Sequence, residues 1–437
     1  MRETFELLRY ERRARVFFLA LAQSALGTGA GYVALLLIAY GRFDSAWEVA
    51  LVLIADLIPA MLLGPLFGAI ADRWSRKWCM VLGDVLRVVG FAGVALVGGF
   101  VPTLLFALVA GVGTAAFTPA ALASLTSVVD DERRVPATSS LYGVVADLGF
   151  TVGPALAGVL LVYIGAETIM IVNAATFALS AALLIPVGFG RSPERSLVER
   201  PSLGFDVREG MSQSFRVRPL RIMLLASGAG LFCAGLFNVS EVFFVKDHLG
   251  GSDAELGWLL ACFGGGFIAG SLRGSTGGTV PTLKRRYLWG LLSVGLALVA
   301  TGLATSLAVG AVTFAFAGYA NGLLLVYERL LIQATVSDAL VGRVFGVKDA
   351  LTAWAFGAAF LLGGLSLEDL GVSDLILIAG AIALVAFAAT ALLLRGEWSD
   401  DDAAVRSWGG EGALDGRADV AGADGGLREH GTDVIRN

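Results

Sequence analysis

The segment GPLFGAIADRWSRKW, residues 64–78, closes one long apolar run and opens the next. Asp72 follows Gly68 by four residues, so the two fall on one face of a helix. A glycine there permits close approach of a second helix. A carboxylate one turn later can meet the positive end of a neighbouring helix or an arginine. Arg73, Arg76 and Lys77 then place three positive charges in the reversal. Since a membrane span needs about 20 mostly apolar residues, a charged turn between two such runs reads as the junction of two membrane helices.

The same pattern continues in both directions. Apolar runs fall at 16–40, 48–71, 78–99, 103–128, 138–163 and 168–189, and again at 221–245, 256–272, 287–305, 308–335, 346–366 and 374–395. Of the 437 residues, 56% are hydrophobic and 16% charged, with a mean hydropathy of +0.77, which excludes an ordinary soluble enzyme. The expectation is an all-α membrane protein of twelve transmembrane helices in two six-helix halves. Residues 1–190 form the N-terminal half, 191–220 a cytoplasmic linker, 221–396 the C-terminal half and 397–437 a disordered acidic tail. The linker holds Pro193, Pro201 and Pro219, and its stretch from Phe205 to Phe215 reads as an amphipathic surface helix or a solvated connection.

Charge sets the expected orientation. With the amino terminus inside, the inner segments hold 22 Lys and Arg and the outer loops hold Arg42 and Lys246 alone, which predicts both termini on the cytoplasmic side. The apolar run after Arg15 continues to Tyr40 without a small-residue cleavage site and so reads as a retained first span. The net charge of −5 belongs to the tail, which carries −6 from Gly396 onward against +1 elsewhere. Cys79, Cys233 and Cys262 lie in or beside apolar runs without metal-ligand spacing, so they read as thiols. His248 and His430 leave no histidine relay within the spans. The halves echo each other faintly: Asp44 and Trp47 precede helix 2, and Asp253 and Trp258 stand near 210 residues later before helix 8.

Gly68, Asp72, Arg73, Arg76 and Lys77 resemble the signature loop of the major facilitator superfamily, a glycine followed by Ala-Asp-Arg and two basic residues. The resemblance implies that this loop latches the halves on the cytoplasmic side during alternating access, with Asp72 and Arg73 gating and no substrate contact. Gly149, Gly153, Pro154 and Gly158, within GFTVGPALAG, resemble the Gly-Pro motif of the superfamily's exporters, in which a kinked helix 5 packs against its counterpart in the other half. Ala157 stands where that motif usually begins a glycine pair. GDVLRVVG in helix 3 and VSDALVGRVFG around Arg343 are similar to the branch of the enterobactin exporter and the macrolide efflux proteins.

By the same resemblance helices 1, 4, 7 and 10 line the substrate cavity. The candidates there are Gln23, Tyr32, Asn238, Glu241, Tyr319, Asn321, Glu328 and Arg329. A carboxyl group buried in a span can take up and release a proton as its exposure changes, which makes Asp56, Asp147, Glu241 and Glu328 candidate proton carriers. Asp84 and Arg87 stand three residues apart in helix 3, where ionised groups need partners, and read as a structural ion pair one to two turns into the membrane. Helix 4 has no arginine between Pro102 and Val128, unlike the proton-coupled drug exporters, which leaves proton coupling, sodium coupling and passive facilitation all open.

No G-x-x-x-x-G-K-[ST] loop occurs, and Gly264–Gly266 sit inside an apolar run. The expected function is therefore secondary active export of a small amphipathic compound, drug-like or siderophore-like, across a bacterial plasma membrane. The expectation includes no catalytic residue, cofactor, metal or nucleic-acid partner, and a monomer. The alternatives are a lipid or lysophospholipid flippase and a non-transporting scaffold or sensor.

Overall fold

The computed structural model describes residues 11–43, 45–129, 134–189, 215–274, 277–336 and 338–397, without the side chains of 65, 72, 136, 147, 150 and 338–343. Asp44, His430, most of the expected linker and the tail lie outside the described residues. Twelve long helices run through the rest. They are α1 (Arg12–Arg42), α2 (Ala46–Arg73), α3 (Arg76–Leu96), α4 (Phe100–Ser124), α5 (Val135–Leu160) and α6 (Ala166–Leu184). The second six are α7 (Arg218–Phe243), α8 (Asp253–Gly274), α9 (Val280–Gly302), α10 (Leu307–Thr335), α11 (Asp338–Leu370) and α12 (Val372–Leu393). A π-helical turn, Phe244–His248, prolongs α7.

Eleven of these helices are long and apolar enough to cross a membrane. The twelfth, α9, carries Lys284, Arg285 and Arg286 in its first two turns, which shortens its apolar stretch. Several helices outrun the apolar segments. Backbone hydrogen bonding continues once the chain leaves lipid, so α2 reaches Arg73 and α11 starts at Asp338, eight residues before its expected span. Local chemistry fixes the helix starts. The Ser45 hydroxyl accepts from Trp47 N at 3.3 Å to cap α2, and Pro219 and Pro281 open α7 and α9. Gly99 and Gly371 take positive φ, 90° and 81°, in the tight reversals before α4 and α12.

The packing repeats. In the first half α1 packs on α5 and α6, α3 on α4 and α6, and α2 on α4; in the second half α7 packs on α11 and α12, α9 on α10 and α12, and α8 on α10. Each pair returns six helices later, as parallel repeats require. Helix ends repeat too. Arg42, at the end of α1, donates to the carbonyls of Val94, Ala95 and Val97 at the end of α3, while His248, at the end of α7, lies 3.2 Å from Ala304 O beyond α9.

The halves meet mainly through α5 on α8 and α2 on α11. These contacts gather toward the end of the bundle opposite the chain termini, here the distal end. Gly158 of α5 lies directly on Gly257 of α8, where a Cβ on Gly257 would come 2.1 Å from Gly158 Cα. A Cβ on Gly364 of α11 would come 2.5 Å from Ala50 Cβ of α2. Side chains seal the same end: Tyr40 donates to Asp247 at 2.5 Å and Ser45 to Glu368 at 2.7 Å. Toward the terminal end, Gly64 of α2, Gly143 of α5 and Gly346 of α11 face no described atom within 4 Å. Among the described residues the halves are joined distally and stand further apart toward the terminal end. Gly257→Val should destabilise the closed form by about 1–3 kcal/mol, the usual cost of overpacking. Cross-linking by a short bifunctional thiol reagent of cysteines placed at Ser45 and Glu368, whose side chains meet at 2.7 Å, should fall in that variant.

Candidate functional site

A cavity of about 950 Å³ lies between the halves, lined by residues of both. Its distal floor is a polar cluster that crosses from one half to the other. The hydroxyl of Tyr32, on α1, stands 3.1 Å from Asn238 Oδ1 and 3.2 Å from Glu241 Oε1, both on α7. Glu241 is almost wholly buried.

The wall on the first half is built around Arg87. It is the twelfth of the 21 residues of α3, roughly 16 Å along the helix. Arg87 donates to Asp84, and its guanidinium stacks 4.1 Å from the ring centre of Phe117 and 4.2 Å from that of Phe177. This arrangement pairs the charge and satisfies its faces, which is what a cation within a span needs. Arg87 nevertheless lines the cavity, together with Asp56 of α2 and Tyr142 of α5. Asp56 lies within electrostatic reach of Arg87, and its Oδ1 has no hydrogen-bond partner among the described residues. One guanidinium is thus paired with Asp84 and lies within electrostatic reach of a second carboxylate, Asp56.

The wall on the second half holds a matching device. Glu328 of α10 accepts from Ser227 of α7 and lies 3.0 Å from Lys348 Nζ of α11, with Glu328 and Lys348 both largely out of solvent. Tyr287 of α9 stands beside them, and Asp349 and Thr352 of α11 line the same side.

Of the eight residues expected to line the cavity, Tyr32, Asn238, Glu241, Asn321 and Glu328 do so. Three do not. Gln23 turns to α6 and donates to Thr176 O and to its own helix at Ala20 O, each at 2.9 Å. Tyr319 packs its backbone against Gly266 and Gly270 of α8, and Arg329 is exposed away from the lining. The side chains of Asp147, Asp72 and Arg343 lie outside the described residues. In the signature loop, Arg76 donates to Ala123 O at 2.6 Å and Lys77 to Ile185 O at 3.0 Å, so these cations cap the ends of α4 and α6 in their own half. Arg73 is exposed, and Gly68 has Pro119 of α4 as its neighbour.

The helix 5 motif is also more local than expected. Gly149 and Gly153 pack on Ala25 and Gly29 of α1, within one half, and Pro154 borders the cavity. Gly158 alone reaches the other half, and there it meets α8, not the counterpart helix α11, because the two-fold relation brings α5 against α8 and α2 against α11. Sequence reasoning missed Lys348, Ser227, Tyr142 and Tyr287. The signal for Lys348 was present: Lys348 and Asp349 interrupt an apolar run much as Asp84 and Arg87 do.

Two six-helix repeats around a shared central cavity define an alternating-access membrane transporter. Residues 16–278 match the model of the Major Facilitator Superfamily, and the chain belongs to that family. It is a multi-pass protein of the bacterial cell membrane. It is 26% identical over 374 residues to the multidrug efflux pump Tap of Mycobacterium tuberculosis (strain ATCC 25618 / H37Rv), covering 82% of this chain and 88% of Tap. It is 25% identical over 371 residues to the MFS-type transporter YfiS of Bacillus subtilis (strain 168), covering 83% and 88%. Macrolide efflux protein A of Streptococcus pyogenes is 19% identical over 348 residues, covering 78% and 86%. Among solved structures, a bacterial homolog of the human lysosomal transporter Spinster, inward-facing and occupied, superposes with a TM-score of 0.68 at 15% identity over 87% of this chain and 96% of that one. The nucleoside transporter NupG gives 0.70 at 12% identity, over 86% and 99%. These structural likenesses speak for the fold alone.

Removing one partner of a buried ion pair strands the other. Lys348→Met should cost about 3–5 kcal/mol, read as a lower thermal midpoint of the purified protein. Adding Glu328→Gln to that variant should recover most of the loss.

Proposed function

We propose that this protein exports bulky amphipathic organic compounds from the cytoplasm as a monomer, driven by a proton gradient. The observation that carries the reading is a large central cavity shared by both halves, with side-chain ties between the halves at the distal end. The 22 basic residues of the inner segments favour cytoplasmic termini, and with that orientation this state is inward-facing and ready to load. Kinship to proteins named as multidrug and macrolide efflux pumps supports outward movement and an organic cargo.

Asp56 is the proposed proton carrier. It lines the cavity, and Arg87 already serves Asp84, so two carboxylates compete for one cation. A proton on Asp56 removes that competition, and rocking of the halves can carry the proton across. Glu328 has its own lysine and is assigned a structural role, and the basic loop after α2 is assigned to the latch that forms when the terminal end closes. The domain limits at 190, 220 and 396 are kept as the proposed division of the chain.

In everted membrane vesicles acidified inside, the protein should accumulate a labelled macrolide severalfold over vesicles lacking it, and collapse of the proton gradient should abolish the gain. Asp56→Asn should lose gradient-driven uptake while keeping exchange of labelled for unlabelled macrolide. Uptake that follows a sodium gradient instead would reject the proton assignment.

A further inference from the structure

Glu241 sits at the sealed end of the cavity with neutral partners only. Its Oε1 faces the Tyr32 hydroxyl at 3.2 Å, and Tyr32 also reaches Asn238 at 3.1 Å. Among the described residues no lysine, arginine or histidine forms an ion pair with it. The two bases nearest the cavity are engaged on other walls, Arg87 by Asp84 and Lys348 by Glu328. A carboxylate in so dry a place lacks the counter-charge that its ionised form requires.

The surroundings decide what kind of cation fits. A small metal ion demands several oxygen ligands at short range, and the side-chain oxygen that meets the Glu241 carboxylate among the described residues is the Tyr32 hydroxyl, itself shared with Asn238. The cavity, by contrast, offers about 950 Å³ and the ring-bearing side chains of Phe237, Phe263, Phe356 and Tyr287. Aromatic faces and apolar volume suit a large organic cation. The position adds a second property. Tyr32 belongs to one half and Glu241 to the other, so their bond is one of the ties that hold the distal end shut.

We propose that Glu241 is the counter-ion of a bulky lipophilic organic monocation, and that the cation's arrival loosens the distal seal by drawing this carboxylate away from Tyr32. The proposal rests on the exporter reading and narrows its cargo, excluding anionic siderophore-like compounds. A ligand shifts a conformational equilibrium only by the difference in its affinity for the two states. Here the difference arises because Oε1 cannot serve Tyr32 and the cation equally well. Occupancy of the cavity and release of the seal therefore act on one atom.

The test uses the full chain in lipid nanodiscs and three probes: tetraphenylphosphonium, the similarly shaped anion tetraphenylborate, and neutral triphenylphosphine oxide. The phosphonium carries a permanent charge, so its own protonation plays no part. It should bind at least about tenfold more tightly than the borate. Glu241→Gln should erase most of that preference and move the neutral probe by less than about twofold. Glu241→Asp should keep the preference, and Tyr32→Phe should bind the phosphonium severalfold more tightly while raising the alkylation rate of a cysteine placed at Ala46.

Equal or tighter binding of the borate would overturn the proposal. So would a Glu241→Gln variant that loses phosphonium and neutral probe alike, or a Tyr32→Phe variant that binds the phosphonium more weakly. If Glu241→Gln does not fold, the Glu241→Asp and Tyr32→Phe results decide. Phosphonium preference without transport of any compound would sink the exporter reading and leave the counter-ion standing. Transport of neutral or anionic compounds without that preference would do the reverse.

Discussion

The approach of α5 to α8 at Gly158 and Gly257 is the contact on which the rest of the architecture depends. Two glycines without side chains let two helices from different halves touch backbone to backbone at the distal end. That fixes the hinge side of the bundle and leaves the terminal end apart, and the volume between becomes the cavity. The matching contact of α2 with α11 at Ala50 and Gly364 completes the seal. Within each half the helices are bound by the same five pairings, so each half moves as a block and the contact between blocks is the part free to change.

Lipid imposes the second constraint. Charges carried into the spans must be neutralised in place, and both halves meet this demand with one deeply placed ion pair. Asp84 and Arg87 are three residues apart on α3, whereas Glu328 and Lys348 come from separate helices. Both pairs stiffen a cavity wall and leave part of their charge facing the cargo space. Asp56, whose Oδ1 has no partner among the described residues, and Glu241, tied across the interface to neutral groups, stand outside these pairs, and this difference separates groups that hold a half together from groups that respond to what enters.

How much was legible in the sequence follows from the range of each interaction. Helix number and the division into halves were readable because apolar length and loop charge are local properties. Tyr32, Asn238, Glu241 and Glu328 were found because a polar residue in an apolar run is visible by itself. Which face it takes is not: Gln23 lies on a cavity-lining helix yet points into a helix contact, and Tyr319 lies on another without lining the cavity. The register that turns them away is set by packing between segments far apart in sequence. Lys348 was overlooked for the same reason, since its partner Glu328 lies on another helix. The motif around Pro154 announced close packing but not its partner, because only the assembled bundle places Gly149 and Gly153 on α1 and Gly158 on α8.

The central claim is that the two halves rock about the cavity, exchanging one closed end for the other. Spin labels report it directly in a chain with Cys79, Cys233 and Cys262 replaced by alanine. One pair would sit at Val101 and Leu303 at the distal end, a second at Ser75 and Thr282 at the terminal end. On binding a transported compound, the account predicts that part of the distal distance distribution lengthens while the same fraction of the terminal distribution shortens. Distributions that stay fixed, or that move in the same direction at both ends, would contradict it.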